Sequence, residues 1–144
     1  MLKSKKILVT AGPTFEYLDD IRFIGNKSSG RQGTEIAKCL IELEADVTLI
    51  LGPVNLELSG LGKVIKVETA IEMNDAVNEA GPFDIAICAA AVSDWRPKEK
   101  AKTKIKKTAT GKPPKLELVE NPDILKNLCI SKNRPKLVIG FAAE

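Results

Sequence analysis

Five short apolar runs, Ile7 to Val9, Val47 to Leu51, Val64 to Val67, Ile85 to Ala90 and Leu137 to Phe141, are separated by segments of helical character. This alternation constrains the fold more than any other feature of the chain. A continuous apolar run fits a strand buried on both faces, and strands that alternate with helices build a parallel sheet through crossover connections. The periodicity predicts helices at Arg31 to Glu44, Ile71 to Ala80 and Pro122 to Ser131. In the first, Ile36, Ala37, Leu40 and Ile41, with Glu44 at the end, follow one helical stripe, and Gly33 allows close approach to the sheet. Asn121-Pro122-Asp123 reads as the start of the third: a capping side chain, a first-turn proline and an acid favoured by the helix dipole. The expected class is α/β, a doubly wound, mostly parallel sheet, with residues 1–144 as a single domain large enough to bury a core.

Two stretches break this pattern. Ala11-Gly12-Pro13-Thr14 leaves the first strand, yet the helix starts only at Arg31, where such connections usually take about 2 to 6 residues. The intervening segment is long enough to hold binding groups. Ser28-Ser29-Gly30 sets hydroxyls and free backbone N–H groups at the positive end of a helix dipole, which suits phosphate, although from these residues alone a serine cap is the simpler reading. Arg22 and Asn26 lie on the same connection, and an asparagine amide can donate to and accept from an amide-containing substrate. The second break runs from Trp95 to Pro114. Between Arg96 and Lys115 there are eight lysines and one acid, Glu99, and Lys115 to Glu120 then alternates like a half-exposed strand. Together these read as a β-arm that covers a ligand or reaches a partner subunit, with a solvated loop as the plainer alternative.

Composition narrows the chemistry. The chain has no histidine, which removes the usual neutral-pH base, the Ser-His and Cys-His nucleophile pairs and the commonest metal ligand. Cys39, Cys88 and Cys129 are odd in number and widely spaced, as expected of reduced buried thiols rather than a disulfide framework or zinc site. A net charge of +3 is too even for a polyanion-binding surface. No secretory signal precedes the first strand, and no apolar run reaches the roughly 20 residues that cross a bilayer, so a soluble, cytoplasmic protein is expected. A dinucleotide site is disfavoured: the first turn lacks G-x-G-x-x-G, and the second strand ends in Ile50-Leu51-Gly52-Pro53 where an acid for the ribose would stand.

Six ordered blocks, Thr10 to Thr14, Ile21 to Gly30, Cys88 to Arg96, Lys104 to Lys107, Asn121 to Ile124 and Gly140 to Glu144, resemble phosphopantothenoylcysteine synthetase, the bacterial CTP-dependent synthetase domain of coenzyme A biosynthesis. The resemblance implies a Rossmann-like or ribokinase-like sheet with a projecting lysine-rich arm. It implies a ligase that joins 4′-phosphopantothenate to cysteine through an acyl-cytidylate, with CTP as co-substrate and Mg²⁺ at the triphosphate. A homodimer is expected, with the Pro97 to Lys115 arm reaching the partner's site, and neither nucleic acid nor membrane as partner. The resemblance assigns Asn26 to the acyl intermediate, Arg22 and Ala91 to the substrate side, and Lys104 to charge on the phosphates. To the nucleotide it assigns Gly12, Ser28, Ser29, Gly30, Cys88, Ala89, Ala90, Asp94, Asn121, Pro122, Asp123, Ile124 and Phe141. No protein metal ligands are expected.

The family's domain continues past Gly-Phe-Ala-Ala-Glu into a region with a Lys-Gly block, so the chain reads as its N-terminal part. The flavin-dependent decarboxylase that often precedes the domain is not expected before a strand so close to Met1. Two alternatives stand beside the ligase: a non-catalytic nucleotide- or phosphopantothenate-binding half of a split enzyme, and, more weakly, an NAD(P)-binding protein.

Overall fold

The computed structural model describes residues 2–107 and 109–142. In chain order its elements are β1 (Lys6–Ala11), β2 (Phe15–Tyr17), β3 (Phe23–Gly25), α1 (Arg31–Glu42), β4 (Asp46–Leu51), β5 (Lys63–Lys66), α2 (Ala70–Ala80), β6 (Ile85–Cys88), β7 (Trp95–Pro97), β8 (Leu118–Glu120), α3 (Ile124–Ile130) and β9 (Leu137–Gly140). Each of the five apolar runs supplies one strand of a five-stranded sheet ordered β5-β4-β1-β6-β9. Every pairing in it is parallel, with Val9 opposite Leu49 on one side and Ile87 on the other.

The sheet is doubly wound, as expected. Ile7, Val9 and Ala11 of β1 pack with Val47, Leu49 and Leu51 of β4 under Ala37 and Leu40 of α1. On the opposite face Leu8, Ile50 and Ala86 meet Met73 and Val77 of α2 and Ile124 and Leu128 of α3. Full burial of each large aliphatic side chain contributes about 1.5–3 kcal/mol, so β1, apolar toward both layers, is the spine of the core. Gly33 fulfils its packing role: a Cβ there would stand 2.4 Å from the Cβ of Ala11.

Helix ends depart from expectation by two residues in two places and by one residue in two more. The first helix stops at Glu42 rather than Glu44, because Glu44 turns left-handed (φ 61°) and the Ala45 N–H closes on the Leu40 carbonyl at 3.1 Å. The third is capped by Asp123, whose carboxylate accepts from the Lys126 N–H at 2.9 Å. Asn121 is therefore not the cap, and Pro122 precedes the helix. By contrast α2 opens on a reciprocal capping box, Thr69 with Glu72, written in the sequence as Thr-x-x-Glu.

The long connection after β1 is not a plain loop. It contains the antiparallel hairpin β2–β3, in which Phe15 and Phe23 stack with ring centroids 3.9 Å apart. The second break in the pattern is a β-arm only at its base, where β7 pairs antiparallel with β8. The strand expected at Lys115 to Glu120 is thus reduced to Leu118–Glu120, and beyond Lys98 the arm lies back on the hairpin, with the Ala101 N–H donating to the Leu18 carbonyl at 2.9 Å.

Candidate functional site

Above the carboxyl ends of β1 and β6 opens a cleft of about 420 Å³. Parallel sheets place ligands at this end, where the strand order reverses. Thr10, Cys88 and Ala90 form its floor, Val92 to Trp95 one wall, and Glu120 to Leu125 the other, with Phe141 at the edge. The structure therefore brings Cys88, Ala90, Asp94, Asn121, Pro122, Asp123, Ile124 and Phe141 together, although they are spread over more than fifty positions of sequence. Phe141 is pinned by its N–H, which donates to the Cys88 carbonyl at 3.0 Å. Of the Gly140 to Glu144 block, Ala143 and Glu144 lie outside the described residues.

The two walls are tied to each other by Asn121. Its side-chain amide donates to the Ser93 carbonyl at 2.8 Å, its side-chain oxygen accepts from Arg96 Nη1 at 3.3 Å, and its backbone N–H donates to the Asp94 carbonyl at 2.8 Å. Arg96 also donates to the Glu120 carbonyl. The Ser93 N–H in turn donates to the buried Thr14 hydroxyl at 3.0 Å, anchoring the wall to the β1 turn. Asn121 thus spends its hydrogen bonds on the walls instead of on a helix end.

The alanine segment behaves similarly. The Ala89 N–H donates to the Thr10 carbonyl at 3.0 Å and the Ala91 N–H to the Gly12 carbonyl at 2.8 Å, so this backbone extends the sheet, and neither residue lines the cleft. Burial pushes the Cys88 thiol up to about 11, a hydrogen bond with Thr10 offsetting part of the effect. The thiol is neutral near pH 7 and forms a floor, not a nucleophile. Asp94, Glu120 and Asp123 give the cleft negative charge, while among the described residues no lysine or arginine lines it. No group of three or more potential metal-ligating side chains converges among the described residues.

The remaining expected site residues stand elsewhere. Gly12 and Gly30 both take positive φ and pack against each other beneath Val54. Gly30 is itself the N-cap of α1, so the serine cap is overturned: Ser28 Oγ accepts from the Gly30 N–H at 3.3 Å, and Ser29 Oγ from the Arg31 N–H at 3.4 Å. Asn26 lies beside the cleft loop, its amide donating to the Val92 carbonyl at 3.1 Å. Arg22 faces a separate cavity of about 580 Å³ between the hairpin tip and the arm, which Ile105, Lys106 and Lys107 also line. Lys104 is exposed on the arm and lines neither cavity.

Sequence reasoning missed Thr10, Ser93, Trp95 and Glu120 of the cleft, and Asp19 of the hairpin. Trp95 carried a usable signal, being the single tryptophan and directly following Asp94. Asp19 is fully buried, yet it sits in an Asp-Asp turn that reads as solvated. Among the described residues no helix is long and apolar enough to cross a membrane. The three cysteines are free thiols, but Cys39 and Cys129 are exposed, which corrects the expectation of buried thiols.

Comparison with known proteins sets this geometry in a family. The chain is 44% identical over 146 residues to the coenzyme A biosynthesis bifunctional protein CoaBC of Vibrio cholerae, an alignment covering 100% of this chain and 36% of that protein. CoaBC of Mycobacterium tuberculosis is 42% identical over 150 residues, with 99% of this chain and 36% of that one covered. The chain thus spans little more than a third of the length of these relatives. The crystal structure of the C-terminal domain of a CoaBC protein superposes with a TM-score of 0.81 at 38% identity, covering 99% of this chain and 66% of that one. The model of the DNA/pantothenate metabolism flavoprotein C-terminal domain matches residues 2–144, and the chain belongs to that family.

Proposed function

We propose that this chain carries the cleft of a phosphopantothenate–cysteine ligase acting in the cytoplasm in coenzyme A biosynthesis. The observation that supports it most is the convergence of the Asp94 and Asn121 to Ile124 blocks and Phe141 on one cleft at the carboxyl ends of the strands. A more distant fold neighbour, the Cab2 H337A mutant in complex with phosphopantothenate-cysteine, is alike in fold at a TM-score of 0.69 and 17% identity. The CoaBC relatives at over 40% identity supply the family context for the reaction.

In this reading the carboxylate of 4′-phosphopantothenate attacks the α-phosphorus of CTP, the bond to the β,γ-diphosphate breaks, and pyrophosphate leaves. The amine of cysteine then attacks the acyl carbon of the cytidylate, the bond to CMP breaks, and the amine proton passes to solvent. Exposed Trp95 and Phe141 offer aromatic faces to a base, and Asp94 stands at the cleft wall for the ribose. Asn26 is held beside the cleft by donating to the Val92 carbonyl, and the resemblance gives it the acyl group as its partner.

A cleft with three carboxylates and no cationic lining repels a bare triphosphate, so the phosphates need outside charge. One or two of Asp94, Glu120 and Asp123 would hold a Mg²⁺ ion together with the phosphates, and the ion would supply the positive charge that the cleft lining lacks. Lys104 on the arm contributes further positive charge, and a homodimer would allow the arm to serve its partner's cleft.

Pyrophosphate release is the test. The chain, and the same chain continued by the remaining part of the domain seen in the CoaBC structural relative, are incubated with CTP, Mg²⁺ and phosphopantothenate. Release that depends on phosphopantothenate, followed by cysteine-dependent CMP formation, is the expected result for the longer form. Release from neither form would remove the ligase reading, and retained nucleotide binding without release would favour a binding half.

A further inference from the structure

Asp19 of the hairpin is fully buried, while its neighbour Asp20 is exposed and pairs with Lys100 at 3.3 Å. A carboxylate is removed from water only where donors replace the lost hydration. Asp19 has four. Its Oδ1 accepts from the N–H groups of Ile21 at 2.8 Å and Arg22 at 2.7 Å, and its Oδ2 from Arg22 Nη1 at 2.8 Å and the Ile105 N–H at 2.9 Å. The first three are local and would close the turn by themselves. The fourth reaches 86 positions along the chain, to the residue after Lys104.

Arg22 completes the grip. The same Nη1 donates to the Ile105 carbonyl at 3.2 Å, so both backbone polar groups of Ile105 are held by one ion pair. Two-point attachment fixes orientation as well as place. The other end of the hairpin leads through Gly25 to Asn26, which is anchored at the Val92 carbonyl beside the cleft. Buried Glu16 fastens the middle by accepting from the Ala70 N–H at 2.9 Å, at the start of α2. The hairpin therefore forms a bracket between the lysine arm and the cleft loop.

We propose that Asp19 is a positioning residue that locks the lysine arm at Ile105, and so sets where Lys104 meets the phosphate chain of the nucleotide. The role of Lys104 rests on the ligase reading; the lock on Ile105 does not. Arg22 acts in the same lock, which gives it a task besides the substrate contact that the resemblance implies. The carboxylate is held well below its ordinary range, chiefly by the Ile105 N–H, with the Ile21 and Arg22 donors adding to it against the opposing effect of burial. It is accordingly charged throughout the neutral range.

Asp19→Asn tests this, because it turns an acceptor toward the Ile105 N–H and Arg22 into an amide donor. In the 144-residue chain, amide hydrogen exchange at Ile105 should quicken at least tenfold, with β1, β4 and β6 unchanged. In the longer form, Asp19→Asn and Lys104→Gln should each lower the preference for CTP over CMP by a similar factor, and the double variant should lose no more than Lys104→Gln alone. Unchanged exchange at Ile105, equal loss of both nucleotides, or independent multiplication of the two effects would overturn the proposal. If Asp19→Asn does not fold, Asp19→Glu keeps the charge but moves the carboxylate by one methylene, and it is read by exchange at Ile105 and by the same nucleotide preference. A parent protein that prefers neither nucleotide would sink the ligase reading, and exchange would still judge the lock.

Discussion

Asn26 keeps its place through the hydrogen bond from its amide to the Val92 carbonyl at 3.1 Å. In Asn26→Asp the donor becomes a charged acceptor facing that carbonyl, which loses the bond and adds repulsion, together about 1–3 kcal/mol or roughly 5- to 150-fold in rate where the geometry is needed. In the longer form the loss should fall on formation of the cysteine adduct more than on pyrophosphate release, as single-turnover assays of the two steps would show. Equal loss in both would place Asn26 outside acyl-group recognition. Cys88 offers a second check at this scale. With its thiol pushed up to about 11 by burial, it is protonated at pH 8, and only the thiolate is alkylated. Iodoacetamide should label exposed Cys39 and Cys129 well before Cys88, by peptide mass spectrometry; equal labelling rates would mean the cleft floor is open and ionised.

Strands and helices were legible where a run carried its own periodicity, and illegible where a distant partner decided the outcome. The five sheet strands show the first case, since Leu8 and Val9 are buried toward opposite layers whatever their neighbours do. The hairpin shows the second: β2 and β3 are three residues each, too short for a period, and their pairing depends on Phe15 meeting Phe23. Asn121 and Asp123 are both good caps, and tertiary contacts separate them, because Ser93 and Arg96 claim the asparagine and leave the aspartate to α3. Asp123→Ala should accordingly cost α3 about 0.5–2 kcal/mol, in the range of lost N-caps. Asn121→Ala should leave α3 intact in helical exchange protection while loosening the two cleft walls. Greater loss of α3 protection in Asn121→Ala than in Asp123→Ala would reverse these assignments.

At the scale of the whole molecule, charge is distributed unlike function. The lysine-rich arm is strongly basic, yet the cleft that gathers most of the nucleotide block is lined by Asp94, Glu120 and Asp123 with no cation. The candidate blocks were legible as residues, but this segregation was not, because a linear sequence does not say which charges share a cavity. The chain also covers 66% of its structural relative, and the sequence resemblance implies a Lys-Gly block, with its lysines at the nucleotide, in the part beyond. Each exposed charge contact contributes about 1 kcal/mol and a water-excluded one more, so two such lysines are worth tenfold or more in affinity. The 144-residue chain should therefore bind CTP at least tenfold more weakly than the longer form, while CMP, held mainly through base and ribose, should differ less. Added Mg²⁺ should strengthen CTP binding to both forms, since it offsets the repulsion between the acidic walls and the triphosphate, and high salt should weaken CTP binding in the longer form, where it screens the lysine contacts to the phosphates. Calorimetric titration of CTP and CMP against both lengths decides the matter. Equal affinity for the two nucleotides in the longer form, or tighter binding of NADPH than of CTP, would remove the reason for placing a triphosphate in this cleft.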